Sequence, residues 1–114
     1  MPTQRVEFSG VIADGDAIIN VEEMYERHQI SIRFFTDSTY ATLVDKSTMT
    51  GSVTFTASEF GDEFGDVSNN GVLTLGNATY DRPDFVGSVK VVKAAFTSVV
   101  GATHYKILVS SFAG

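Results

Sequence analysis

Residues 59–66 read Glu-Phe-Gly-Asp twice in succession, the one internal repeat of the chain and its densest run of carboxylates. Glu59, Asp62, Glu63 and Asp66 place four acids within eight residues, with Gly61 and Gly65 between them to let the backbone fold tightly. Asn69 and Asn70 lie just beyond. Such a loop can serve a hard cation, because calcium takes about six to eight oxygen ligands from carboxylates and carbonyls on flexible backbone. A calcium-organised loop over 59–71 is therefore one reading. The spacing departs from that of the helix-flanked calcium loop, whose acids alternate and close on a bidentate glutamate. The other reading gives the rings to the fold: Phe60 and Phe64 turn inward as pins and the four carboxylates face water at a rim. The spacing favours the rim.

The other chemistry-bearing residues form no catalytic set. The two histidines, His28 and His104, both fall at the starts of predicted strands and read as strand-edge residues. No G-x-S-x-G elbow presents a serine nucleophile, and no H-E-x-x-H pair announces a zinc site. With no cysteine there is neither a thiolate nucleophile nor a disulfide framework. Phosphate-cradling glycine loops are absent from the sequence, as is the helix such loops require. Fourteen acids always offer pairs, but nothing singles out one pair for glycoside hydrolysis. Asn77-Ala78-Thr79 has the form of a glycosylation acceptor and is expected to be a chance match, as the opening residues do not read as a secretory leader. The expectation is a non-enzymatic protein without a cofactor.

Charge and length bound the partners. The net charge of −6 argues against nucleic acid, whose phosphates need clustered Lys and Arg. Residues 59–84 carry six acids and one base, whereas 85–114 carry no acid and have Lys90, Lys93 and Lys106. That split reads either as an acidic face meeting a basic face on a neighbouring copy, or as strands of one sheet balancing each other, and the second is favoured. The opening residues contain no apolar leader, and no run approaches the roughly 20 apolar residues of a membrane helix. The chain is expected to be made in the cytoplasm and to contact no membrane. Its 114 residues fit one domain over 1–114 that buries about two-thirds of its unfolded surface.

The segments that must position these residues read as strand after strand. Val6, Phe8, Gly10 and Ile12 alternate with Arg5, Glu7 and Ser9, the period of a half-buried strand over 4–12. Asp14-Gly15-Asp16 predicts a hairpin turn into a strand over 17–21. One helical turn is expected at 22–27. Ile30, Ile32 and Phe34 alternate with Gln29, Ser31 and Arg33, and a turn at 37–39 leads to a short strand over 40–44. Val53, Phe55 and Ala57 mark the next strand, followed after the repeat and the Asn70-Gly71 turn by short strands over 72–75 and 78–80. Two long strands, 86–96 and 104–112, carry aliphatics on both faces and belong in the middle of a sheet or between a core and a partner. Turn signals every 8 to 12 residues or so, with no long helical period, predict an all-β fold: a single-domain antiparallel β-sandwich of about eight strands. Phe34 and Phe35 point to opposite faces, so the outward ring needs a cover from the chain itself or from another subunit. Cover from within the chain is the favoured of the two.

Two resemblances add to this reading. The stretch 96–109, Phe-Thr-Ser-Val-Val-Gly-Ala-Thr-His-Tyr-Lys-Ile-Leu-Val, resembles the B–C strand pair of fibronectin type III domains, with Tyr105 at the place of the family's tyrosine. Its implication is a sandwich-type strand pair. As a whole, a short, acidic, cysteine-free, strand-only chain rich in Thr, Ser, Val and Gly resembles the small virion proteins of tailed bacteriophages. That resemblance implies a structural protein of the phage particle, a capsid decoration or tail component located in the virion. Its partners would be further copies of itself and other virion proteins. The contact residues expected on this reading are Phe35, Tyr40, Lys90, Val91, Val92 and Lys93. The alternative is a carbohydrate- or small-ligand-binding sandwich whose site is the 59–71 loop.

Overall fold

The computed structural model describes residues 3–21, 27–58, 64–66, 71–76, 84–86 and 90–112. Within them the chain forms β1 (Thr3–Val11), β2 (Ala17–Asn20), β3 (Arg27–Phe35), β4 (Leu43–Val44), β5 (Thr50–Ser58), β6 (Gly65–Asp66), β7 (Val72–Thr74), β8 (Asp84–Val86), β9 (Val91–Val100) and β10 (His104–Phe112). Short 3-10 turns cover Ile12–Asp14 and Lys46–Thr48. The strands form two antiparallel sheets. In the first, β1, β10 and β3 lie side by side, and β8 and β4 both pair with β3, over Arg27–Gln29 and Phe34–Phe35 respectively. In the second, β2, β9 and β5 lie side by side, and β7 and β6 both pair with β5.

Because each of those short pairs shares one side of its neighbour, the ten segments fill four places in each sheet. Taken in chain order, with β4 an added piece beside β8, the eight places run 1-8-3-6 and 2-7-4-5. Two sheets interleaved in this way, with every connection crossing between them except the one from the fourth place to the fifth, define the jelly roll. The all-β sandwich read from periodicity is thus borne out, and its topology is a jelly roll rather than the fibronectin arrangement.

The core lies between the sheets. Ile30, Ile32 and Phe34 of β3, Ile107 and Val109 of β10, Val53 and Phe55 of β5, and Val92 and Ala94 of β9 are all buried, in the alternation the sequence predicts. Strands β9 and β10 are central in their sheets, as two apolar faces require. At one end of the core His28 is buried, its Nδ1 2.7 Å from the Ser111 hydroxyl. The expectation of a strand-edge histidine fails here because β8 and β10 flank β3 on both sides at this residue.

Three connections differ from expectation, for one reason. Asp14-Gly15-Asp16 does not close a hairpin. The Ile12 N–H bonds the Thr103 carbonyl at 2.9 Å, the chain then leaves the ladder through a 3-10 turn, and Gly15 at φ 96° redirects it into the other sheet. The strand expected over 86–96 is two strands, β8 pairing with β3 and β9 with β2 and β5. The strand expected over 40–44 is reduced to Leu43–Val44. A local pattern marks where backbone extends, whereas the choice of sheet depends on partners far along the chain. The helical turn expected at 22–27 and the strand at 78–80 lie outside the described residues, except Arg27, which begins β3.

Candidate functional site

The outer face of the first sheet carries a cluster of polar and aromatic groups. Register sets its side chains in rows: Glu7, Leu108 and Ser31; then Ser9, Lys106 and Arg33; then Val11, His104 and Phe35. Phe35 points out of the core and is nevertheless only 6% exposed. Its cover comes from within the chain, as favoured above. Tyr40 meets the ring edge-on, with centroids 5.4 Å apart, and meets His104 in the same way at 5.7 Å. Lys106 Nζ lies 4.9 Å from the centroid of Tyr40 and 3.4 Å from Glu7 Oε1.

Tyr40 reaches this position through an uncommon backbone state. Its φ is 56°, in the left-handed region that non-glycine residues seldom occupy. Asp37 holds it there. The carboxylate accepts the Thr42 N–H at 3.0 Å and the Ala41 N–H at 3.2 Å, and the Thr39 hydroxyl also donates to it. Aspartate at the head of a turn bonds backbone a few residues on in this manner. Those bonds, the Thr39 hydroxyl foremost and the Thr42 amide next, hold the Asp37 carboxyl below the ordinary carboxylate range.

A carboxyl with a depressed folded pKa stabilises its loop above the unfolded pKa and loses that contribution as pH falls through the folded value. Titration below about pH 4, the ordinary aspartate value, is therefore expected to release the 37–42 turn and shift the ring protons of Tyr40. Asp37→Ala should show the released state at neutral pH. Ring shifts unchanged through the titration would refute the coupling.

The six residues read from sequence as contacts separate sharply. Val92 is fully buried in the core, Val91 is buried in β9, and Phe35 lies under Tyr40. None of the three has surface to offer a partner. A strand apolar on both faces is what a central strand requires, and that requirement hid the burial of Val91 and Val92. Tyr40, Lys90 and Lys93 keep exposed surface. Lys93 Nζ sits 4.6 Å from the ring centroid of Phe64 on the outside of the second sheet, so Phe64 caps that face and does not enter the core as a pin. Phe60, Glu59, Asp62 and Glu63 lie outside the described residues, and only the backbone of Asp66, in β6, is described. Among the described residues no three His, Cys, Asp or Glu side chains gather as a metal site would require.

The acid-free stretch after residue 84 does not form one basic face. It supplies the central strands of both sheets, so Lys106 and Lys93 stand on opposite outer faces. Lys106 lies 3.4 Å from Glu7 of the neighbouring strand, whereas the acidic side chains of 59–84 lie outside the described residues. Arg33 is the member of this face that sequence reasoning left unassigned. The cross-strand pairing of Arg33 with Lys106 becomes visible only once β10 is placed beside β3.

The fold and this face define a jelly-roll domain with no catalytic set among the described residues. No protein family matches the sequence, and no curated protein sequence does either. Solved structures share the fold. One is the subject of "Bacillus endospore appendages form a novel family of disulfide-linked pili", at TM-score 0.52 and 12% identity over 99% of this chain and 88% of that one. Another is the SPBc2 prophage-derived protein YomS, at TM-score 0.55 and 15% identity over 97% of this chain and 96% of that one.

Proposed function

We propose that this chain, acting as one domain over 1–114, is a non-enzymatic structural subunit of a phage particle, a capsid decoration or tail component that works by repeated contact between copies. The fold shared with a prophage-derived protein and with a pilus protein is consistent with that reading. The observation that carries it is the edge of β1. This strand pairs with β10 over nine residues in unbroken register, with no bulge and no proline inside it. Among the described residues no strand pairs with its other side. Proteins that stay monomeric blunt such edges with prolines, bulges or covering segments, because an open edge accepts another strand.

The direction of its free groups follows from one bond. The Ile12 N–H points to β10, so residues 10, 8 and 6 also turn their backbone groups inward, while Arg5, Glu7, Ser9 and Val11 direct theirs away from the sheet. Contact between copies through this edge would be non-covalent, since the chain has no cysteine, unlike subunits of disulfide-linked pili. Other virion proteins are the further partners this reading expects.

Sedimentation and negative-stain microscopy test it. The purified chain is expected to form dimers or longer assemblies with rising concentration. Ser9→Pro, which removes an outward N–H at an edge position where proline is tolerated, is expected to leave a folded monomer. A wild-type chain that stays monomeric, or a Ser9→Pro chain that assembles unchanged, would sink the proposal.

A further inference from the structure

Arg33 has no role in assembly through β1. It is exposed, and among the described residues no hydrogen bond or ion pair engages its guanidinium. It stands directly across from Lys106. Like charges opposed on one face of a sheet are destabilising, and Glu7 offsets only one of these two. Two concavities of about 420 and 490 Å³ meet at Arg33, the first running past Tyr40, Lys106 and Glu7 and the second past Leu43 and Asp45.

We propose that this double groove is a binding site for an acidic oligosaccharide, with a sugar carboxylate on Arg33 and neighbouring rings against Tyr40 and Leu43. A guanidinium matches a carboxylate with two parallel hydrogen bonds. Tyr40 on one side and Leu43, 59% exposed, on the other supply apolar surface for the C–H faces of pyranose rings. Glu7 and Asp45 mark the two ends. Glu7 uses Oε1 on Lys106, and Asp45 uses Oδ1 on the Ser47 N–H and hydroxyl. Each retains a second oxygen that can accept sugar hydroxyls. A run of acidic residues in a peptide would meet both carboxylates as like charges, whereas a uronate chain interposes hydroxyls between its carboxylates. A concave, partly apolar lining with a few placed polar groups is the usual form of a small-ligand site.

A galacturonate trisaccharide titrated into isotope-labelled protein at millimolar concentration is expected to shift the amides of Ser31, Arg33 and Lys106. Its methyl ester, which removes only the charge, and the Arg33→Gln protein should each show affinity at least about tenfold lower, roughly 1.4 kcal/mol. Arg33→Gln should melt no lower than the parent, because among the described residues the guanidinium has no partner to lose and its opposition to Lys106 is relieved. The proposal is overturned if the trisaccharide shifts none of these amides, if the ester binds as well as the acid, or if a hexaglutamate peptide binds as tightly as the sugar.

Discussion

Gly51→Ala is expected to remove a large share of the stability of this fold through a single methyl group. Gly51 lies on β5 at the irregularity between Thr50 and Ser52, with φ 102°. A Cβ there would stand 2.4 Å from the Ser98 carbonyl oxygen and 2.7 Å from that of Thr97. Both are backbone atoms of the neighbouring strand β9, so no side chain can rotate away. The Gly51 carbonyl also accepts the Leu75 N–H at 2.9 Å, which couples the position to the segment just after β7. A left-handed L-residue costs about 1–2 kcal/mol, and forcing atoms into packed structure about 1–3. Together these are about 2–5 kcal/mol out of the roughly 5–15 typical of a domain. At about 4 °C per kcal/mol for a chain of this length, the melting temperature should fall by roughly 8–20 °C. Far-UV circular dichroism measures it, and a melt like the parent's would show that the β5–β9 ladder relaxes around the methyl.

The second large effect separates two adjacent, identical residues. Phe34→Ala should cost about 3–5 kcal/mol, the usual range for truncating a core aromatic and leaving a cavity. Phe34 is fully buried among both sheets, where surrounding strands cannot close in. Phe35→Ala should cost about 1.5–3 kcal/mol, the value of the buried side chain with little cavity added, because the Tyr40 turn that covers it can settle. Urea melts of the two variants decide the matter. Equal losses would mean that the turn is as rigid as the core. Phe35→Ala should also move the Tyr40 ring resonances, which Phe34→Ala leaves in place if it folds.

The same pair of residues shows where reading the chain succeeds. That Phe34 and Phe35 oppose each other, that one needs a cover, and that β9 and β10 are central all follow from a side-chain period of two, which is local and needs no knowledge of partners. Absence of catalytic spacing is likewise a property of the linear order. Within the repeat, Phe64 caps the outside of the second sheet beneath Lys93 and is no inward pin, while the side chains of the four acids and of Phe60 lie outside the described residues.

The sequence by itself determined that this chain is a strand-built sandwich, which residues of β3 and β5 alternate on one face, and that it offers no recognisable catalytic motif. Only the tertiary structure decided which sheet each strand joins. Strand β1 pairs with β10 from the far end of the chain, and Asp14-Gly15-Asp16 turns a corner where a hairpin was expected. That choice rests on contacts between distant residues, and so does everything built on it: the burial of Val91 and Val92, the edge of β1 that no described strand pairs, and the opposition of Arg33 to Lys106. The placement of Tyr40 needed still more, because a left-handed tyrosine is disfavoured locally and is held by the bonds of Asp37 and by its edge-on contacts with Phe35 and His104. Periodicity is written into each strand, but a surface for binding is made where strands from different parts of the chain meet.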